Sequence, residues 1–336
     1  MSQSHHFNRR SFLGSSIAVA GTAGAVLGGR EPGRLSAARA EAGEQEKQPE
    51  SNAGGMPYGT IGGAKISRLL LGGNLVSGCM HARDLKYVTP LFRAYATEDK
   101  ILQTLKLAEE NGINTVFESG AAFVQRYNKE YGGHMQIIPS IHPSLGQDEQ
   151  QLKDDIKQQV DSGVPALYVW GAAGDQLVRA GEVDRIARAV EYVKAHGIPA
   201  GVGGHSLEVP MACEKHQVPC DFYVKTLHND DYPSATRKEL RKEYIWLDGG
   251  EGWYDNMWCI NPEETVEFMH TVTKPWIAFK VLAAGAIDPR QGFAHALRSG
   301  ADFIAVGMFD FQIEENCELV KRLVEREKDR PRPWRA

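Results

Sequence analysis

From residue 66 onward the chain alternates short, nearly continuous apolar runs with longer amphipathic stretches. The apolar runs are ISRLLLGGN (66–74), INTVFES (113–119), QIIPSIH (136–142), ALYVWG (166–171), PAGVGGH (199–205), DFYVKTLH (221–228), WIAFKVLAAG (276–285) and DFIAVGM (302–308). Each is bounded by a glycine or a polar residue, as a strand buried on both faces would be. Helical periodicity runs over 98–111, 148–162, 181–196, 206–216, 262–273, 290–299 and 314–328. Gly112, Gly163, Gly197 and Gly300 follow several of these stretches, where a left-handed cap is needed. Asn261 followed by Pro262 is a helix start, an N-cap and then proline in the first turn. Eight strand-helix units predict a parallel sheet closed into a (β/α)8 barrel of class α/β. No GxGxxG follows the first run, which argues against a doubly wound dinucleotide-binding sheet.

Two segments break the rhythm: 75–97 after the first run, and 229–260 after the sixth. The second carries Tyr232, Trp246, Trp253, Tyr254 and Trp258, too many aromatics for a disordered loop. Both insertions fall on the face where barrel strands end, the face that forms active sites. They read as a lid or a stacking floor for a sugar, with a plain hydrophobic plug as the alternative.

The strand ends converge in a barrel. They are Asn74, Glu118, His142, Trp170, His205, Lys225 with His228, Lys280, and Met308 with Asp310. The whole chain has 11 histidines, so three at strand ends is a concentration. Two chemistries fit. Glu118, His142, His205 and His228 are candidate ligands for a divalent metal (Zn, Mn, Fe or Co) at an open site. The same groups serve equally as acids, bases or hydrogen-bond donors to a polar substrate. Lys280 lies inside an apolar run, where a cation is costly unless paired or used. A desolvated lysine has a lowered pKa and condenses with carbonyls; a structural ion pair, for instance with Glu118, is the other reading. Gly285 and Gly307 close the seventh and eighth runs, where barrels often hold phosphate on backbone amides.

Composition limits the function classes. The chain has 336 residues, 42% hydrophobic and 24% charged, with a net charge of −5. That supports a large core and gives no basic surface for nucleic acid. Five cysteines without a CxxC motif read as buried free thiols, with Cys213 and Cys220 the one plausible pair. Near the N-terminus NRRSFLG (8–14) precedes a weakly apolar run (15–29) and the sequence ARA (38–40). Paired arginines, a short small-residue run and an A-x-A site resemble a twin-arginine export signal over 1–40, followed by a polar linker over 41–55. The run is too short and glycine-rich for a membrane span. The expected partner is therefore the twin-arginine machinery, and the expected location periplasmic or extracellular, with no stable membrane span after processing.

MPYGTIGGAKISRLLLGGN (56–74) and LKLAEENGINTVFES (105–119) resemble the opening of the aldo-keto reductases: a tyrosine-containing hairpin, a Ser-Arg-Leu stretch, then a helix, Gly-Ile-Asn and a strand. The resemblance implies a (β/α)8 barrel over 56–336 and NADP-dependent carbonyl chemistry. Its Asp would fall at Phe117 or Glu118, its Tyr near Phe123 or Tyr127, its Lys near Ile141 or His142, and its His at Gly171 beside Trp170. The tetrad is thus degenerate. The expectation is an exported barrel lyase, isomerase or hydrolase acting on a carbohydrate-like or polyhydroxy carbonyl compound. Glu118, His142, His205 and Lys280 would be catalytic. Asn74, Trp170, Lys225, His228, Trp253 and Asp255 would contact substrate, and Gly285 and Gly307 a cofactor or phosphate. The alternatives are an oxidoreductase holding NADP and a non-catalytic sugar-binding barrel.

Overall fold

The computed structural model describes residues 55–336; the export-signal expectation and all but the last residue of the linker lie outside them. A hairpin of β1 (Tyr58–Ile61) and β2 (Ala64–Ser67) turns through Gly62 and Gly63, both with positive φ. Eight parallel strands follow: β3 (Leu69–Gly72), β4 (Thr115–Glu118), β5 (Gln136–Ile141), β6 (Leu167–Val169), β7 (Ala200–Gly204), β8 (Phe222–Thr226), β9 (Trp276–Phe279) and β10 (Phe303–Val306). They pair in chain order, and β10 returns to β3 to close the barrel. Every apolar run of the sequence contains one of them.

The helices are α1 (Gly73–Val76), α2 (Val88–Tyr95), α3 (Glu98–Glu110), α4 (Ala121–Tyr131), α5 (Glu149–Asp161) and α6 (Gly171–Arg179). After them come α7 (Val183–Lys194), α8 (Glu208–Lys215), α9 (Ile245–Asp248), α10 (Pro262–Thr271), α11 (Pro289–Arg298) and α12 (Asp310–Arg326). Among these, α2, α4 and α6 escape the sequence pattern. The latter two begin in small residues, SGAA and GAAG, that carry no apolar stripe. The 75–97 insertion is therefore partly helical. No helix among the described residues is long and apolar enough to cross a membrane.

Strand alternation divides the core into two layers. Leu70, Phe117, Ile138, Tyr168, Phe222, Val224, Ile277 and Phe303 fill the barrel, and Ile61 and Ile66 of the hairpin join them from one end. Leu69, Leu71, Val116, Ile137, Tyr223 and Leu227 pack under the helices. At the N-terminal end of the barrel a fully buried Asp302 binds Arg330 (3.1 Å) and Arg332 (2.8 Å) and accepts from the Trp276 amide. The C-terminal tail is thereby pinned across the bottom, with Trp334 stacked under Arg330 at 3.6 Å and under Arg68 at 4.4 Å. The charges at this end tie the tail to the barrel.

Cys213 and Cys220 are both free and buried, so the suggested pair is not formed. The seventh run is a shorter strand than its apolar length suggests. It stops at Phe279, because Lys280, Ala283, Ala284 and Gly285 all take positive φ and turn the backbone out of the sheet.

Candidate active site

Three groups of side chains meet at the C-terminal mouth of the barrel. The first is built on β4 and β6. Glu118 is the last residue of β4, in the left-handed conformation at φ 78°. The Trp170 indole, at the end of β6, donates to its Oε1 at 2.8 Å. The His142 ring lies flat on Trp170, with centroids 4.7 Å apart and planes 10° apart, and its Nε2 pairs with Ser140 Oγ at 2.9 Å. Burial lowers the His142 pKa, opposed by the nearby Glu118 charge.

The second group depends on close backbone approach. A Cβ on Gly174 would stand 2.2 Å from the Gly203 carbonyl oxygen, and one on Gly203 2.7 Å from the Val169 carbonyl oxygen. Only glycines let α6 settle onto β7 this closely. The next residue of α6, Asp175, is fully buried and caps the end of β7. Its Oδ1 accepts from the His205 and Ser206 amides, and its Oδ2 from His205 Nδ1 at 2.6 Å and from Trp246 Nε1 at 3.3 Å. His205 is wedged among Trp258, Phe279 and Trp246, with centroids at 4.9, 5.2 and 5.7 Å. Burial lowers its pKa, and Asp175 partly restores it.

The third group centres on Lys280, which follows β9 directly at φ 58°. Its Nζ lies 2.7 Å from His81 Nε2, and His81 Nδ1 lies 2.8 Å from Asp255 Oδ1. The ammonium stands 3.6 Å from the centre of the Trp258 ring. Desolvation pulls the amine down to about 8, against the raising effect of Asp255, Glu118 and Asp175. The anticipated Lys280–Glu118 ion pair is not a direct contact; Glu118 acts on the amine through space, while His81 holds it.

These groups form one site. Glu118 and Asp175 both raise the Lys280 pKa, Lys280 lowers that of His205, and the Lys280 amine and the His205 ring share the Trp258 indole. Glu118, His142, His205 and Lys280 thus lie at one mouth, together with Trp170 and Asp255.

Other expected contacts sit elsewhere. His228 spends both nitrogens on loop backbone: Nδ1 bonds to the Asn229 carbonyl at 2.7 Å, and Nε2 accepts from the Trp258 and Cys259 amides at 2.9 Å each. With both nitrogens used it cannot ligate a metal. Among the described residues, no three His, Cys, Asp or Glu side chains gather in a metal-holding geometry. Lys225 alternates with the barrel-filling Val224, so its stem lies on the outer side of β8; its fully buried amine donates to Thr226 O and Oγ1 and its charge, like that of Lys280, lowers the His205 pKa, so it stands behind the second group. Trp253 donates to the Met257 carbonyl and holds its own loop. Asn74 lies in the short helix α1, where its carbonyl accepts from Cys79 and Ser77. Gly307 follows β10 beside Gly72, and it is Gly72 whose added Cβ would collide, 2.6 Å from the Gly307 amide; a Cβ on Gly307 would meet only Leu75, at 3.4 Å. Gly285 completes the left-handed turn after Lys280 and has open space beside it.

Asp175 and His81 are the residues that sequence reading misses. Asp175 had one signal, the GAAG run that precedes it; His81 had none beyond lying in an insertion at the strand-end face. The tyrosine nearest the reductase acid position, Tyr127, is buried in the helix layer, donating to Glu109 Oε2 at 2.6 Å. Phe117, at the reductase Asp position, points into the barrel and stacks on Tyr168. Neither Tyr127 nor Phe117 thus brings a phenol or a carboxylate to the barrel mouth.

No protein-family model matches the chain. No curated protein matches it either. Among solved structures it resembles two of a Pseudomonas aeruginosa protein assigned as an aldo-keto reductase. One has TM-score 0.55 at 13% identity and the other 0.52 at 12%, each over 80% of this chain and 95% of that one. A truncated 3-deoxy-D-arabino-heptulosonate 7-phosphate synthase from Thermotoga maritima aligns more loosely, at TM-score 0.42 and 13% identity over 83% of this chain and 93% of that one. At such identity the likeness establishes the closed (β/α)8 architecture of aldo-keto-reductase type and nothing about chemistry.

Proposed function

We propose that this protein is an exported enzyme that acts on a polyhydroxy carbonyl compound through the amine of Lys280, as a lyase or isomerase. The observation that carries the reading is the Asp255–His81–Lys280 chain at the barrel mouth. Asp255 accepts from Nδ1, which leaves His81 Nε2 as the acceptor for a proton of Nζ. The left-handed backbone at Lys280, the desolvation of its amine and the indole beneath it all hold a primary amine poised between its two protonation states.

The neutral amine attacks the carbonyl carbon. A carbon–nitrogen bond forms, the carbon–oxygen bond of the resulting carbinolamine breaks with uptake of one proton from solvent, water leaves, and a protonated imine remains as electron sink. Glu118, fixed by Trp170, is placed to accept a substrate hydroxyl, and Trp258 and Trp170 offer ring faces to a sugar-like carbon chain. This chemistry calls on neither a metal nor a nicotinamide. The NRRSFLG motif and the ARA sequence support the export part of the reading.

Borohydride trapping tests it. The protein is incubated at pH 8 with dihydroxyacetone, glyceraldehyde, fructose and xylulose in turn, then reduced and mapped by mass spectrometry. A reduced adduct confined to Lys280, and absent from Lys280→Met, is expected. Labelling spread evenly over surface lysines, or none on Lys280 with any of the four, sinks the proposal.

A further inference from the structure

Resting on the Lys280 reading above, we infer that the Asp175–His205 pair is the base that removes the proton from the carbon next to the Lys280-bound carbonyl. Asp175 is immobilised by the His205 and Ser206 amides and by Trp246, so its remaining acceptor capacity orients one imidazole. The 2.6 Å bond to Nδ1 puts the ring proton on that nitrogen and the lone pair on Nε2. Among the described residues Nε2 has no hydrogen-bond partner. The contrast with its neighbours is chemical: His81 commits Nε2 to Lys280, and His142 commits Nε2 to Ser140.

Position agrees. His205 and Lys280 flank the same Trp258 ring, at 4.9 and 3.6 Å from its centre. Both groups thus contact one indole, and the charge of Lys280 acts on the imidazole through space. Gly171 clears the ring: a Cβ there would come within 3.0 Å of His205 Cε1. Burial lowers the imidazole pKa and so favours the neutral, basic form.

The step balances internally. The C–H bond breaks and its electron pair forms a carbon–carbon double bond. The π pair of the protonated imine moves to nitrogen, and the proton rests on Nε2. Its return to the same carbon restores the protonated imine, which water then hydrolyses; the result is exchange with solvent and, where that carbon is stereogenic, epimerisation. The substrate class narrows accordingly to carbonyl compounds with hydrogen on the adjacent carbon.

The test is deuterium uptake by dihydroxyacetone in D2O, followed by proton NMR, alongside borohydride trapping of the same samples. Wild type is expected to exchange and to trap; Lys280→Met to do neither. His205→Gln is expected to trap at Lys280 but to exchange at least about 100-fold more slowly, the usual contribution of a placed base. Asp175→Asn should show the same split to a smaller degree, which a purely structural defect would not produce, because trapping would fall with it. His205→Gln exchanging at the wild-type rate while trapping normally overturns the inference and leaves Lys280 standing. Absence of trapping in wild type overturns the Lys280 reading and this one with it. Because the variants could misfold, nitrogen NMR of histidine-labelled wild type gives an independent readout: a proton on Nδ1 and none on Nε2 at pH 8 is required, and the opposite tautomer overturns the assignment.

Discussion

Glu118, the last residue of β4, and Lys280, the first residue after β9, take the same left-handed backbone conformation, at φ 78° and 58°. Neither is glycine, so each conformation costs free energy that the surrounding structure must offset. Strain of this kind at two groups facing one mouth marks the place where side-chain position has been held at the expense of stability.

Lys280→Asn tests that cost. Asparagine tolerates the left-handed region, and the substitution removes a desolvated amine. We expect stability to denaturant at pH 7 to rise by about 1 kcal/mol, with trapping abolished. A destabilised variant would mean that the contacts to His81 and Trp258 outweigh the strain. The wild-type amine has a folded pKa near 8, below its ordinary 10.5. Between those values the unfolded chain binds more protons, so Lys280 contributes increasing stability as pH rises through that window. Its reaction with carbonyl probes should rise over the same onset, through pH 8, whereas surface lysines respond two units higher.

His228 predicts acid sensitivity. Burial lowers its pKa to about 4, and its Nε2 accepts two amides only while unprotonated. As pH falls from about 6.5 to about 4 the unfolded chain takes up the proton and the folded chain does not. Stability therefore falls across that window, by up to about 3 kcal/mol for this group at roughly 1.4 kcal/mol per unit. Urea unfolding at pH 7 and pH 4.5 should show a smaller acid loss for His228→Asn than for wild type, although the variant starts lower. Equal losses would remove His228 as a source of the acid response.

Neighbouring glycines of α6 should behave oppositely. An alanine methyl at 174 would stand 2.2 Å from a β7 carbonyl oxygen that has no room to move. Gly174→Ala is expected to cost on the order of 3 kcal/mol by overpacking. The methyl at 171 meets the His205 ring instead, at 3.0 Å. Gly171→Ala should cost about 1 kcal/mol or less in a thermal melt and slow deuterium exchange about tenfold. A matched stability loss for both would show that His205 is as rigid as the backbone.

Asp302→Ala should be the most damaging change at the opposite end. It strands the Arg330 and Arg332 guanidinium groups, whose side chains are fully buried. Removing one partner of such a cluster costs about 3–5 kcal/mol. Denaturant unfolding checks the loss, and a change below about 1 kcal/mol would mean that water replaces the carboxylate.

The barrel is legible in the sequence because doubly buried parallel strands must be apolar throughout and must alternate with helices, a pattern that needs no knowledge of contacts. The histidines, Glu118 and Lys280 are legible for the same reason, since strand ends face one mouth whatever their partners. Helices α4 and α6 are not, because each is short and opens on small residues, SGAA and GAAG, so its apolar stripe is carried by few large side chains, such as Val124 with Tyr127 and Leu177.

What the sequence determined by itself is therefore one-dimensional: eight strands, their order, and which titratable residues stand at their ends. Only the closed structure decided which of those side chains work together. Lys225 starts from the outer side of β8 by strand parity and reaches His205 only from behind, through Thr226. His228 is excluded because the folded loop uses both of its nitrogens. Asp175 and His81 join because a glycine contact and an inserted loop carry them to groups 30 and 199 residues away along the chain. Hydrogen bonds act over a few ångströms, and no local pattern encodes distances between residues that meet only when the sheet closes.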